Sequence, residues 1–214
     1  MRGGEQIVKI VRDGYPLIAF VAFMLLGSLY FAPMVGLFLA PLLGLVVWFF
    51  RDPERVPDGP GFLSPADGKV VEVMETDHPF TGKAVKVGIF MNPLDVHVNR
   101  VPCDGTVEWM EYIPGRKWMA FEPKASELNE RMCVGLSTGY GPVLLVQVAG
   151  FLARRIVCRL RKGDRLVRGD RFGMIKMGSK VDVYLPAGVR MKTSVGKKVF
   201  AGRTVLGGMA GEKS

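Results

Sequence analysis

The chain has 214 residues, a formal net charge of +9 and 49% hydrophobic residues. That apolar share excludes a disordered chain, and the length suits one domain with an appendage. The basic balance calls for a partner of opposite sign, either nucleic acid or an anionic membrane. Cys103, Cys133 and Cys158 show no C-x-x-C spacing, which argues against a disulfide framework and a cysteine-rich zinc site and fits reduced thiols.

No charged residue occurs between Asp13 and Arg51. A single membrane span needs about 20 apolar residues, so this run is too long for one helix and nearly long enough for two. Pro33 interrupts it near the middle, and proline breaks the helical ladder. The pattern predicts a helical hairpin, roughly Pro16 to Ala32 and Met34 to Phe50. Arg2, Lys9 and Arg12 precede it, and Arg51 and Arg55 follow. Basic flanks favour the cytoplasmic side, so a hairpin leaves the rest of the chain there, at the cell membrane. A signal peptide is a poorer reading, because the run far exceeds an h-region. Whether the hairpin spans the bilayer or dips into one leaflet stays open.

The segment 51–61 is a polar linker rich in proline and glycine. The predicted division is therefore 1–50, an anchor, and 51–214, a folded domain. The stretches 68–75, 83–90, 105–113, 142–150, 154–160 and 180–186 read as strands between turn residues, and 127–130 as a short helix or loop. The expected fold is mainly β (α+β), with two packed sheets behind an N-terminal hydrophobic helical hairpin. Residues 151–214 hold 16 of the 29 lysines and arginines, against four acids. Arg154, Arg155, Arg159, Arg161, Lys162, Arg165, Arg168 and Arg171 crowd together, a surface for anionic lipid head groups or simply a solvated face. Nucleic acid is set aside, since no binding motif accompanies the charge.

The two histidines are His78, in a turn-like stretch and most simply a surface residue, and His97, in the segment NPLDVHVNRVPCDG. Neither HxH nor HExxH is present, so a zinc hydrolase site is hard to build. Asp67 stands in the turn of SPADGKV. Strand alternation would put Asp95 and His97 on one face, where a carboxylate could hold the imidazole as a base. Gly178 and Ser179 fall between two strand-like runs, as a tight hairpin turn would. By themselves these residues read most simply as turns.

Taken in order, SPADGKV, NPLDVHVNRVPCDG, the Asn129–Arg131 segment, GPVLLVQVAG and GDRLVRGDRFGMIKMGSKVDVYLP resemble the short form of the phosphatidylserine decarboxylase family, over about Phe50 to Pro186. That resemblance implies an inactive proenzyme that cuts itself at Gly178-Ser179. Ser179 is then the nucleophile and cofactor precursor, becoming a covalent pyruvoyl group. Asp67, His97 and Ser179 form the processing triad. Many longer family members carry a second histidine three positions on, where this chain has Arg100, so either one histidine serves both processing and turnover or a water or Arg100 takes part of the work.

The resemblance also implies the turnover chemistry. The pyruvoyl ketone captures the amine of phosphatidylserine and accepts the electrons released with CO2, as pyridoxal phosphate does elsewhere. No metal is implied. Arg100 and Arg131 are the candidate substrate-binding cations. The implied partners are the phospholipid substrate, an anionic membrane surface and the two chains of one precursor, with association into a homo-oligomer left open. An archaetidylserine-type lipid also fits.

Three other readings compete. The segment Ile175-Lys176-Met177 resembles the modified-lysine turn of a biotinyl carrier, with Lys176 as the target. A membrane-tethered β scaffold would carry no chemistry. A pyruvoyl enzyme for a soluble amino acid would not need the hydrophobic N-terminus.

Overall fold

A computed structural model describes residues 8–115, 125–150, 155–176 and 178–209. The chain divides into two compact units, Met1–Glu54 and Arg55–Ser214. Of the residues singled out above, Arg2, Arg154 and Met177 lie outside the described residues.

In the first unit β1 (Val8–Ile10) pairs antiparallel with β2 (Arg51–Pro53), and α1 (Tyr15–Phe31) and α2 (Pro33–Phe49) lie between them. The helices break at Ala32 for the expected reason. A residue before proline is pushed out of the α region, and Ala32 adopts φ −154°, ψ 74°. Pro33 then begins α2, where its missing N–H costs nothing. Gly36 lets the helices approach, since a Cβ there would lie 3.1 Å from Ser28 Oγ. Phe20, Phe23, Leu26, Met34, Leu37 and Phe38 are exposed, a belt of apolar surface that water does not favour.

Val11 N–H donates to the Phe50 carbonyl (2.9 Å), so the helix pair starts and finishes at one end. Lys9, Arg12 and Arg51 stand at that end, with the Arg51 guanidinium 4.0 Å above the Trp48 ring. Among the described residues, Arg12–Phe31 is the one helix long and apolar enough to cross a membrane; Pro33–Phe49 is shorter.

The second unit is β-rich, as its alternating and continuous apolar runs predict. Its strands are β3 (Phe62–Leu63), β4 (Gly68–His78), β5 (Gly82–Met91), β6 (Val98–Arg100), β7 (Gly105–Ile113), β8 (Arg131–Thr138) and β9 (Gly141–Ala149). They continue with β10 (Arg155–Cys158), β11 (Arg165–Leu166), β12 (Arg171–Lys176), β13 (Ser179–Pro186), β14 (Val189–Met191), β15 (Lys198–Val199) and β16 (Val205–Met209), and α3 (Ala125–Leu128) precedes β8. Among the described residues these strands form an eight-stranded sheet, β11-β7-β8-β9-β13-β5-β4-β15, and two three-stranded sheets, β10-β12-β6 and β14-β16-β3.

Both faces of the large sheet are packed. Val87, Ile89, Val181, Val183 and Leu185 join the main core with Phe172 and Ile175. On the other face Cys133, Leu144, Val146 and Val148 pack with Phe80, Trp109 and Tyr184. β8 escapes sequence reading because burial on both faces removes its alternation. Gly135 further masks it, and is there because a Cβ would strike the Phe80 ring at 2.5 Å.

One expectation is corrected. Gly178 and Ser179 do not form a hairpin turn, because β12 and β13 do not pair. β12 lies between β10 and β6, whereas β13 lies between β9 and β5 in the large sheet. The chain crosses from one sheet to another at this point, which also removes the hairpin tip that a carrier lysine at Lys176 would need.

Candidate active site

Ser179 opens β13, with Met91 as its register partner on one side and Ala149 on the other. Side chains alternate along a strand, so Ser179 points with Val181 and Val183 into the main core, and Lys180 and Asp182 point to the outer face. Ser179 is 0% exposed, and its hydroxyl has no hydrogen-bond partner among the described residues. Leaving a buried hydroxyl unsatisfied costs about 1–3 kcal/mol, so such a group demands a reason. Gly178 adopts φ +57°, the left-handed region, while a Cβ there would meet nothing within 4 Å. The backbone conformation, not crowding, calls for glycine at this position.

The sheet register gathers the other candidates at the same end. Lys180, Phe90, Lys69 and Lys198 form a row across four strands. Ser179, Met91, Gly68 and Val199 lie one position further along. Asp67 immediately precedes Gly68, and Met91 leads into the 92–97 loop that carries His97. Asp67 is buried; its Oδ2 accepts from Arg55 Nη2 (2.9 Å) and its Oδ1 from Ala201 N–H (2.7 Å).

His97 is also fully buried, with Nδ1 2.9 Å from the Asp95 backbone oxygen. A carbonyl can only accept, so Nδ1 carries a proton, and in the neutral ring the lone pair is on Nε2. The pairing expected from strand alternation is thus altered. Asp95 lies in a turn, and its backbone oxygen meets the ring. Its carboxylate accepts from Asn92 N–H (3.0 Å) and pairs with Lys198 (3.3 Å). His78 ends β4, half-buried, where its Nδ1 accepts from Phe80 N–H (3.1 Å) and burial lowers its pKa.

The two candidate arginines occupy different places. Arg100, in β6, is buried; its Nη1 donates to the Gly169 carbonyl (3.2 Å). Its stem fills the space beside Gly202, where a Cβ would lie 2.5 Å from Arg100 Cδ. Arg131 opens β8 opposite Val148, itself the partner of Lys180, and so belongs to the outer face. There it lines a cavity of about 460 Å³ with Glu72, Lys86 and Tyr184, on the side of the sheet away from the Ser179 side chain.

Sequence reasoning missed a set of buried amides. Gln147 Nε2 donates to Asn99 Oδ1 (2.8 Å), and Asn99 Nδ2 lies 3.7 Å from the Met91 sulfur. Gln147 pairs with Val181 and therefore shares the face of Ser179. Its Oε1, like the serine hydroxyl, has no hydrogen-bond partner among the described residues. Asn129 Nδ2 donates to the Ala149 carbonyl (2.7 Å), holding the strand beside Ser179. A signal was present: Gln147 is the only polar residue in the run PVLLVQVAG.

Behind Ser179 lies an ionic group. Lys180 Nζ is 2.7 Å from Glu72 Oε2, 2.9 Å from Ser126 Oγ and 3.0 Å from Asp182 Oδ1. Lys86 Nζ reaches Glu72 (3.1 Å) and Asp182 (3.7 Å). Burial alone would lower the Lys180 pKa, but the adjacent Asp182 and Glu72 carboxylates raise it. Burial would raise Glu72, but Lys180 and Lys86 bring it below the usual range.

The three cysteines are free thiols. Among the described residues no three His, Cys, Asp or Glu side chains converge as metal ligands would.

The arrangement therefore joins a buried serine hydroxyl, a preceding left-handed glycine and a buried imidazole of defined tautomer at one end of a sheet. Comparison with known proteins points the same way. The family model described as phosphatidylserine decarboxylase matches residues 42–207. A phosphatidylserine decarboxylase proenzyme of Chlorobium phaeobacteroides is 46% identical over 178 residues, 82% of this chain and 84% of the relative. That of Oleidesulfovibrio alaskensis is 47% identical over 206 residues, 92% of this chain and 93% of the relative. That of Chlorobium phaeovibrioides is 44% identical over 211 residues, 97% of this chain and 95% of the relative. Similarity of this extent runs through both the apolar N-terminus and the β-rich unit, and the chain belongs to the phosphatidylserine decarboxylase family.

Proposed function

We propose that this chain is a proenzyme that cleaves itself between Gly178 and Ser179, carries a pyruvoyl group made from Ser179, and decarboxylates phosphatidylserine to phosphatidylethanolamine. The observation that carries the reading is the Ser179 hydroxyl, buried beside a left-handed Gly178 and with no hydrogen-bond partner among the described residues. A serine hydroxyl is a weak nucleophile and needs a base. His97 is the proposed base, with Nδ1–H donated to the Asp95 carbonyl and the Nε2 lone pair able to take a proton.

In the cleavage, Ser179 Oγ attacks the Gly178 carbonyl carbon and the peptide C–N bond breaks, leaving an ester. Loss of the Ser179 α-proton then expels the Gly178 carboxylate. Water replaces the nitrogen of the resulting dehydroalanine, and ammonia leaves. The residues fit the group: the serine begins a strand, so the new end stays held between β5 and β9. The pyruvoyl group supplies an electron sink for loss of CO2. Asp67, with Arg55 and the Ala201 N–H, shapes the sheet end on which His97 and Ser179 stand. His97 is also the proposed proton donor in turnover.

The first unit is the proposed membrane anchor and the second the catalytic domain. The exposed apolar belt of α1 and α2 would enter the lipid, and the end bearing Lys9, Arg12 and Arg51 would stay at an anionic surface. Basic flanks favour a cytoplasmic catalytic unit.

Intact mass of the purified chain beside its Ser179→Ala variant tests the reading. The wild type should yield a 36-residue fragment, 179–214, with a blocked N-terminus, and the variant should stay whole. A wild type that stays whole after full maturation sinks it.

A further inference from the structure

We propose that Lys180, Glu72, Lys86 and Asp182 form a buried ionic clamp that holds the chain end at residue 179 in register once its bond to Gly178 is cut. The inference rests on the self-cleavage reading and adds positioning residues to it. Cleavage turns residue 179 from the middle of a covalent chain into its end, and strand ends fray unless tied down. The reactive group sits on that end, where a displacement of 1 Å is costly to catalysis.

Among the described residues nothing hydrogen-bonds the Ser179 hydroxyl. The next residue is anchored from the outer face instead. Lys180 is 1% exposed and ion-paired to Glu72 of β4 (2.7 Å) and Asp182 of its own strand (3.0 Å), with Ser126 of α3 at 2.9 Å. Lys86 of β5 completes the group through Glu72 and Asp182. Two cations and two anions balance, and they tie β13 to both of the strands on that side.

Apolar side chains would hold the strand as firmly, since buried ion pairs seldom exceed them in stability. Their contacts, however, are tolerant of slippage. Discrete ion pairs satisfy only one alignment, which is the use to which buried charge is best suited. A slip of one residue would drive Lys180 and Asp182 into the core of Val87 and Ile89. The fold also makes room for the clamp. Gly88 lies opposite Asp182, and a Cβ there would come within 2.5 Å of Lys180 Cε and 3.0 Å of Asp182 Oδ1.

The test is amide hydrogen exchange over residues 179–186 in cleaved protein, for wild type, Lys180→Met and the charge-balanced Lys180→Met/Asp182→Leu. The same changes are placed on the uncut Ser179→Ala background. In cleaved variants exchange should rise about tenfold or more, with kcat falling while KM stays nearly unchanged. In uncut variants, where the backbone still tethers residue 179, the rise should stay below about twofold. If Lys180→Met fails to fold, the balanced double variant carries the test. An equal rise in both backgrounds, or none in the cleaved one, overturns the clamp and leaves the decarboxylase reading standing. A wild type that never cuts overturns both.

Discussion

Gln147 Nε2 donates to Asn99 Oδ1 across 2.8 Å, and this amide pair joins the eight-stranded sheet to the β10-β12-β6 sheet on the face that Ser179 shares. Removing the amide leaves a buried acceptor unsatisfied. Gln147→Leu should cost about 1–3 kcal/mol in a urea titration. It should also slow the appearance of the 179–214 fragment by about tenfold, because the crossing from β12 to β13 is positioned by both sheets. An unaltered cleavage rate with reduced stability would show that the pair joins the sheets and no more.

Gly178→Ala separates conformation from space. A Cβ at this position meets nothing, so the cost is that of a left-handed φ alone, about 1–2 kcal/mol. The precursor should fold, and self-cleavage should slow, because part of the population leaves the geometry in which Ser179 Oγ faces the carbonyl. Time-resolved mass spectrometry gives the rate. Cleavage at the wild-type rate would mean that the left-handed turn plays no part.

Gly88→Ala probes the outer face without replacing a charged residue. The new Cβ would fall 2.5 Å from Lys180 Cε, and Lys180 can yield only by leaving its carboxylates. A destabilisation of about 3 kcal/mol is expected. A loss below about 1 kcal/mol would show that Lys180 swings aside freely.

The ionic group also predicts how stability depends on pH. Glu72 is depressed in the folded chain, so its contribution is present above its unfolded value, near 4.3, and lost as pH falls through the folded one. Lys180 is raised, so its contribution is present below its unfolded value, near 10.4, and lost as pH rises through the folded one. Denaturation midpoints should hold level between about pH 5 and pH 10 as far as these groups are concerned. Lys180→Met should flatten both arms, because it removes the alkaline titration and also the cation that does most to depress Glu72. Identical arms in wild type and variant would contradict the pairing.

Cys103 is buried beside Asp104, and its thiol is pushed up to about 12. Burial likewise raises Cys133 and Cys158. Alkylation at pH 8 should therefore be slow in the native protein and fast in denaturant, because only the thiolate reacts. Rapid labelling of native Cys103 would show that its site opens.

Much of this protein was legible in its sequence, and the reason is local. A long uncharged run broken by Pro33 can form only an apolar helix pair, and Val-rich runs between Gly and Pro turns can form only strands. The serine after a glycine could be singled out by the ordered motifs around it. Pairing was not legible, because partner choice depends on residues far apart in the chain. Gly178-Ser179 looked like a hairpin, yet tertiary packing sends β12 and β13 into different sheets. Packing likewise decided that Arg131 belongs to the outer face and that Asp95 meets His97 through its backbone oxygen. It also put Gln147 and its partner Asn99 on the face that the buried serine shares, and four paired charges on the other. Local pattern determines which segments become helix or strand; only the closing of the sheet determines which side chains share a face.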